Sequence, residues 1–333
     1  MRPIHKTTLF LVLILSLLLI GAYAGNKVID KTFKAKGLVK ISTITADCKV
    51  FKGASGEIKV YIVYDDAGNM FKPVIEEDDN MLLIREKIPA SDSTWKILVP
   101  ENTEIDFTSA TGSFYVKGLK SDITAAIASG EILAHACRGK MKIKNASGEV
   151  EVVDHRGGLD INAAAGDLKL EKISGDIRLK ALSGDIEARD IEGSIDLKFT
   201  SGDIEFSKVA AAVEASCVSG DIEFSDVTLT GKSAFKVVSG DIYIKLTKSL
   251  THDLTLGSAS GNAVLDYNDN PVKGYFEFRA RADVGKIAAP FAFDKEEETY
   301  EYGKKYMIKS FKKGGASPKV VIKTASGKAV LEK

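Results

Sequence analysis

Four aspartates recur at an interval of 18 residues and could together bind a cation. Asp167, Asp185, Asp203 and Asp221 each follow a glycine. In a stack of β-coils they would lie about 4.8 Å apart, and a row of carboxylates at that spacing could bind Ca²⁺. Calcium-binding nonapeptide repeats, however, carry several glycines in a G-G-x-G-x-D pattern, whereas each unit here supplies one. We therefore favour aspartates that cap turns through backbone N–H groups, and we predict no metal site.

Cys137, His155 and Asn145 have the composition of a thiol-protease site. The repeat places Cys137 and His155 on adjacent coils, and Asn145 also falls at an inward-facing position. Cys137, however, ends one strand and Asn145 lies at the far end of the next, more than about 10 Å away at 3.3 Å per residue. We therefore predict a buried, inert Cys137 with His155 near a corner, and no catalytic residue.

Ten aromatic residues crowd the segment 267–311. They are Tyr267, Tyr275, Phe276, Phe278, Phe291, Phe293, Tyr300, Tyr302, Tyr306 and Phe311. Exposed rings could stack on sugars or anchor a partner, but we favour rings that fill the core of an end cap. A non-repetitive insertion on a rigid scaffold is nevertheless where we expect binding. The sequon Asn145-Ala146-Ser147 receives little weight because it falls on a packed strand.

Composition and charge exclude several classes of protein. The 333 residues include 46 Lys+Arg, 46 Asp+Glu, three Cys and 44% hydrophobic residues. Without a basic field a nucleic-acid partner is not expected, and the apolar content predicts a folded core rather than disorder. Three cysteines in a chain of this length cannot make a disulfide scaffold.

Residues 1–24 have the pattern of a secretory signal peptide. Arg2 and Lys6 precede an apolar run at 9–20, and Ala22-Tyr23-Ala24 is an A-x-A cleavage site. The apolar run is too short for a comfortable membrane span, and no cysteine follows it to carry a lipid anchor. We therefore predict an exported protein, periplasmic, cell-surface or extracellular, with no transmembrane segment in the mature chain.

A nine-residue lattice of glycines positions these residues. Ser-Gly-Asp-Ile begins at residues 174, 183, 201, 219 and 239, and steps of nine from Gly112 to Gly220 meet Gly at all positions except Ser121 and Ala211. One kind of unit is apolar at unit positions 3, 5 and 8, and the other, which alternates with it, at 3, 5 and 7. The true repeat is thus 18 residues, and alternation at period two indicates strands with one buried face.

This pattern predicts an all-β fold, a two-sheet β-solenoid with 18-residue coils, capped at both ends. Gly supplies corners that need φ > 0. The predicted domains are a signal peptide at 1–24, N-terminal coils and a cap with insertions at 25–111, the regular solenoid at 112–262, and an aromatic-rich excursion with a final coil at 263–333. Further strands are predicted at 38–44, 58–63, 81–85 and 95–99, with insertions at 65–79 and 88–93.

These motifs resemble those of a family of exported bacterial and archaeal β-solenoid proteins described as adhesins, the head-GIN and autotransporter-adhesin-like group. The likeness runs from residues 97–100 and 108–112, through the Ser-Gly-Asp-Ile series, to 284–287, Pro290-Phe291 and 321–327. It covers essentially the whole mature chain. It implies a solenoid fold and an adhesive role, and it brings no catalytic motif.

Three function classes remain open. The leading one is an exported, non-enzymatic surface or envelope binding module that needs no cofactor and binds a cell-surface glycan or protein. A carbohydrate-active β-helix enzyme is the second, but it would need convergent acids, or a base with Lys or Arg, on one sheet face. The third is a structural spacer or assembly subunit.

The register also predicts the state of the cysteines. Cys137 and Cys217 belong to coils four apart, so they lie roughly 19 Å apart, and a disulfide needs Cα atoms within about 7 Å. Thiol labelling of the unfolded, unreduced chain should therefore modify Cys48, Cys137 and Cys217. Labelling of only one of the three would contradict both the free thiols and the register.

Overall fold

A computed structural model describes residues 26–65, 71, 73–90 and 92–333. The predicted signal peptide at 1–24 lies outside the described residues. The described part of the chain is all-β and contains no α-helix. It accordingly offers no helix with the length and apolar character needed to cross a membrane.

The described residues form 28 strands. The first nine are β1 (Asn26–Lys34), β2 (Leu38–Thr43), β3 (Asp47–Lys52), β4 (Glu57–Asp65), β5 (Pro73–Glu77), β6 (Met81–Glu86), β7 (Ser93–Val99), β8 (Glu104–Thr111) and β9 (Phe114–Lys117). The next nine are β10 (Ile123–Ser129), β11 (Ile132–His135), β12 (Met141–Ser147), β13 (Val150–Arg156), β14 (Leu159–Ala165), β15 (Leu168–Ser183), β16 (Ile186–Ser201), β17 (Ile204–Ser219) and β18 (Ile222–Leu229). The last ten are β19 (Ser233–Ser239), β20 (Ile242–Leu246), β21 (Leu254–Ser260), β22 (Ala263–Asp266), β23 (Gly274–Arg281), β24 (Lys286–Ala288), β25 (Lys295–Glu301), β26 (Lys304–Lys313), β27 (Lys319–Ser326) and β28 (Lys328–Glu332).

In the regular part of the chain, residues 18 positions apart pair in parallel. Met141 of β12 pairs with Ile123 of β10 on one side and with Leu159 of β14 on the other. Strands β11 and β13 pair in the same way, Ile132 with Val150. The pairing builds two columns of parallel strands, column A with β10, β12 and β14, and column B with β11 and β13. The 18-residue repeat of the sequence is therefore the register of the strand pairing.

The two columns are joined in the middle of the stack, which modifies the prediction of two separate sheets. Strands β15, β16 and β17 are 16 residues long and pair through the corner, where Gly193 pairs with Gly175 and with Ala211. Their first halves extend column B and their second halves extend column A. The parallel pairing continues through the corner even though Gly175 and Gly193 have φ values of 145° and 132°, and it connects the columns into one sheet.

A break in the alternation of buried and exposed residues recurs once per coil. Six non-glycine residues with φ between 53° and 57° stand 18 positions apart; they are Ala136, Asp154, Lys172, Asp190, Lys208 and Asp226. Each occupies unit position 7 of the units that are apolar at positions 3, 5 and 8. A left-handed residue there adds one residue to the strand, as in a β-bulge, so position 8 turns inward instead of position 7.

At both ends the order of the coils in space differs from their order in the chain. Strand β27 lies between β21 and β23, and β2 lies between β6 and β8, with parallel pairing in every case. The outermost pairs are antiparallel, β1 with β4 at one end and β25 with β26 at the other. Strands β2, β4, β6 and β7 lie where the sequence predicted strands. β5, a short strand at the edge of the sheet, lies inside the predicted insertion at 65–79.

Two adjacent glycines provide a matched test of the corners. Gly157 has φ 136°, and a Cβ atom there would lie 2.0 Å from the carbonyl oxygen of Gly139. Gly158 lies outside the left-handed region, and its Cβ atom would meet only the Cγ atom of Lys140, at 3.9 Å. Gly157→Ala should therefore lower the free energy of unfolding by about 2–4 kcal/mol and Gly158→Ala by less than about 1 kcal/mol. Urea denaturation measures both, and equal effects would contradict the close stacking of corners.

Candidate functional site

The four predicted aspartates form a row along one corner of the stack. The Oδ1 atoms of Asp167, Asp185 and Asp203 each accept a hydrogen bond, at 2.9 Å, from the backbone N–H of the next aspartate in the row. The last of these donors is Asp221. Each carboxylate therefore caps the corner of the following coil, as the sequence suggested.

The row continues beyond Asp221 with a change of residue type. Asp221 accepts a hydrogen bond from the N–H of Asp241 at 2.7 Å, and Asp241 accepts one from the N–H of Asn262 at 2.7 Å. The Asn262 amide oxygen then accepts a hydrogen bond from the N–H of Lys328 at 3.0 Å. An amide oxygen thus fills the place of a carboxylate, so the corner requires an acceptor and no negative charge. In the part of the chain that the structure describes, no group of three or more His, Cys, Asp or Glu is arranged to hold a metal ion.

Cys137 and His155 are buried in column B on adjacent coils, beside the paired Arg138 and Arg156. The Cys137 thiol donates a hydrogen bond to the carbonyl oxygen of His135 at 3.3 Å. Neither ring nitrogen of His155 has a hydrogen-bond partner among the described residues. The sulfur is thus bonded to the main chain rather than to the imidazole.

Burial favours the neutral forms of Cys137 and His155, which are the wrong forms for thiol catalysis. It raises the pKa of the Cys137 thiol and lowers the pKa of the His155 imidazole. Both groups are consequently neutral near pH 7. A thiol protease needs the opposite pair, a thiolate beside an imidazolium.

Asn145 is engaged at the corner on the column A side. Its Nδ2 atom donates to the carbonyl oxygens of Gly130 at 3.2 Å and Gly148 at 3.0 Å, and its Oδ1 atom accepts from the N–H of Ser147 at 3.1 Å. The side chain is buried. All of its hydrogen bonds are local to this corner, so the structure does not bring Asn145 together with Cys137 and His155.

The three cysteines are free, as predicted, and all three are buried. Burial raises the pKa of Cys48, Cys137 and Cys217 alike. A thiol that stays protonated and out of solvent is a poor nucleophile. These residues therefore serve the core as small apolar groups.

Most rings of the aromatic-rich excursion fill a core. Tyr267, Phe276, Phe278 and Phe311 are buried, and the Phe276 and Phe311 rings stack with centroids 4.8 Å apart. Phe291 and Phe293, which are partly buried, pack against the same cluster. These residues follow the cap-core interpretation favoured from the sequence.

Two tyrosines of the excursion do not follow the cap-core interpretation. Tyr300 is 68% exposed, and Tyr302, at the tip of the β25–β26 hairpin, is fully exposed. Glu301 pairs with Lys304, which leaves Tyr302 and Gly303 as a two-residue turn with φ values of 46° and 74°, the pattern of a type I′ turn. The sequence placed both rings in the excursion but gave no signal that these two would be the exposed ones.

Ion pairs line the flanks of this hairpin. Lys305 binds Glu298 at 2.6 Å across the two strands, and Arg279 of β23 binds Glu301. The Arg279 guanidinium also lies over the Tyr306 ring, 4.3 Å from its centroid. The hairpin is thus fixed to β23, and its tip is presented by ordered strands.

Residues 33–279 match the family model described as Toastrack DUF4097. No curated protein matches the chain. A candidate cell adhesion protein from Clostridium sporogenes ATCC 15579 is similar at 11% identity over 92% of this chain and 99% of its own, with a TM-score of 0.23. Two structures from Parabacteroides distasonis ATCC 8503 are also similar. A candidate adhesin has 17% identity over 75% of this chain and 92% of its own (TM-score 0.31), and a candidate lipid binding protein has 13% over 93% and 98% (TM-score 0.34).

The aspartate row generates a prediction about stability. Asp203→Asn keeps the acceptor for the N–H of Asp221 and should change the free energy of unfolding by less than about 0.5 kcal/mol, whereas Asp203→Ala removes it and should cost about 1 kcal/mol. Adding about 5 mM Ca²⁺ should leave the melting temperature of the unmodified chain unchanged, because a backbone N–H already occupies each Oδ1 atom and the described residues offer no cluster of ligands to a metal. Stabilisation by Ca²⁺ that disappears in Asp203→Asn would instead establish a metal site.

Proposed function

We propose that this chain, which belongs to the Toastrack DUF4097 family, is an exported, non-enzymatic binding module of the cell surface or envelope, an adhesin. A capped β-solenoid with two connected columns of strands is its scaffold, and the tip of the β25–β26 hairpin is its contact element. The observation that carries the proposal is the pair of exposed tyrosines, Tyr300 and Tyr302, on an otherwise ion-paired hairpin. Export is supported by the signal-peptide pattern at residues 1–24.

The scaffold is suited to holding the hairpin tip out toward a partner rather than to closing around a substrate. Each coil is tied to the next by parallel ladders and by the capped corners of the aspartate row. The hairpin continues this order, because β26 pairs with β23 from Gly274 and Lys313 to Arg281 and Tyr306. A partner would therefore meet a tip whose position is already fixed, which lowers the entropy lost on binding.

The chemistry of the tip fits a glycan or a protein surface. A tyrosine ring offers a broad apolar face for the C–H groups of a sugar or for an apolar side chain, and its hydroxyl can donate or accept a hydrogen bond. Tyrosine also carries large contact area at low cost in side-chain entropy, which makes it common at recognition surfaces. Two such rings at an exposed turn form a small, adaptable contact.

A carbohydrate-active enzyme is the weaker alternative. Glycoside hydrolysis needs two carboxyl groups facing one another across a bound sugar, about 5–10 Å apart. The carboxylates of the aspartate row instead follow one edge, and each is engaged by a backbone N–H of the neighbouring coil. This arrangement favours the binding role.

Glycan-array and cell-binding assays on the purified chain test the proposal. Tyr300→Ala/Tyr302→Ala should weaken binding at least about tenfold, because two contact rings are lost. Tyr300→Phe/Tyr302→Phe is the matched control, and it should retain most of the binding if ring contact dominates. Binding that is unaffected by the alanine pair would remove this site, and a chain that binds no glycan and no cell surface would favour the spacer or assembly role.

A further inference from the structure

A row of uncharged side chains runs along the outer surface of column A, one position before each Ser-Gly or equivalent corner. In the central coils this position is bracketed by the pairs Ala181 with Phe199 and Ser183 with Ser201. In stacking order the row is Ala110, Ala128, Ala146, Ala164, Leu182, Thr200, Val218, Val238, Ala259 and Ala325. All but Thr200 are aliphatic, in a chain of which 28% is charged. It is named here the aliphatic row.

The larger members of the row are exposed. Leu182, Val218 and Val238 present 59%, 51% and 57% of their surface to solvent. They stand in strands β15, β17 and β19, with Thr200 of β16 between the first two. A contiguous line of aliphatic side chains on a solvent-exposed surface is typical of a contact site for a partner.

Opposite charges flank the aliphatic row. Two residues before it, on the same face, five of the ten coils carry lysine and the other five carry uncharged residues. The lysines, named here the basic row, are Lys144, Lys180, Lys198, Lys236 and Lys323. Three residues after it lies the aspartate row of the corner, from Asp167 to Asp241. Lys236 of this row is ion-paired with Glu214 at 3.3 Å, whereas Lys180 and Lys198 form no ion pair among the described residues. Across the surface the order is therefore basic, aliphatic, acidic.

This order is self-complementary under one symmetry operation. A twofold axis parallel to the direction of coil stacking reverses the order on a second copy and leaves the height of every coil unchanged. The aliphatic rows then meet at the centre, while each basic row faces the aspartate row of the other copy. A twofold axis across the rows would instead place lysine against lysine, which is repulsive.

We propose that the aliphatic row binds a second copy of this chain, giving a side-by-side dimer whose coil stacks run parallel. Both copies have the same coil spacing, so Leu182, Val218 and Val238 each meet the same residue of the partner. Lys180 and Lys198 reach the Asp185 and Asp203 carboxylates of the other copy, whose Oδ1 atoms alone are used by the corner.

The available area suits a specific dimer. At about 4.8 Å per coil the row is roughly 40 Å long, and a strip about 15 Å wide then covers about 600 Å² on each copy. The total of about 1,200 Å² reaches the lower end of stable protein interfaces. An anionic membrane fits the same surface less well, because the aspartate row beside the aliphatic side chains would face the lipid phosphates.

Sedimentation equilibrium of the purified chain tests the dimer. The unmodified chain should dimerise, and Leu182→Lys/Val218→Lys should raise the dissociation constant at least about tenfold, because two aliphatic contacts become four like charges across the axis. Val284→Lys, at a valine of similar exposure outside the row, is the control and should leave the dimer intact. A monomeric chain at about 100 μM, or a dimer insensitive to the paired substitution, overturns the proposal. A monomer that co-sediments with phosphatidylglycerol vesicles would assign the surface to a membrane.

Disulfide trapping tests the parallel arrangement. Leu182→Cys and Val238→Cys, made separately, should each cross-link to the identical residue of the partner under mild oxidation, since every coil keeps its height. The native cysteines are buried and do not compete. An antiparallel dimer can bring identical residues together at only one height, so a cross-link at one position alone contradicts the parallel twofold axis.

Discussion

The approach of one glycine corner to the next is the contact on which the rest of the structure depends. At Gly184, with φ 112°, a Cβ atom would lie 2.3 Å from the carbonyl oxygen of Gly166 in the preceding coil. The oxygen occupies the space that any other residue would need. Because the corners stack backbone to backbone, the strands on either side can reach hydrogen-bonding distance. The 18-residue register follows from that contact.

A fixed register turns each position of the repeat into a row with one chemical role. The aspartate row supplies an acceptor to every corner, and Asn262 serves as well as the aspartates do. The inward positions build a continuous apolar interior. Positions that neither cap nor pack are free to carry other chemistry, and the aliphatic and basic rows on column A occupy them.

Periodicity could predict the repeat, the inward residues, the free cysteines and the separation of Asn145 from Cys137, because each follows from local spacing. The left-handed residues at Lys172 and its equivalents also had a signal in the sequence. In their units the apolar positions go from 5 to 8 instead of from 5 to 7, and strict alternation then requires one extra residue. The continuity of β16 through Gly193 had no signal in the sequence, because a corner glycine is expected whether or not the strand pairing continues through it. The exposure of Tyr302 depends on how its hairpin packs against β23. The pairing of β27 joins residues 66 positions apart with β21, as in Leu254 with Val320, and 44 apart with β23, as in Tyr275 with Lys319. Neither feature is visible in local sequence.

Distances between spin labels on column B test the central claim, the stacking of 18-residue units, most directly. Leu133, Glu151 and Glu223 occupy one outward row. Leu133 is five coil steps from Glu223, and Glu151 is four coil steps from it. Electron–electron double resonance on labelled pairs should give about 19 Å between residues 151 and 223 and about 24 Å between 133 and 223, an increase of one coil spacing. Distances that do not grow by about 5 Å per 18 residues would contradict the stack.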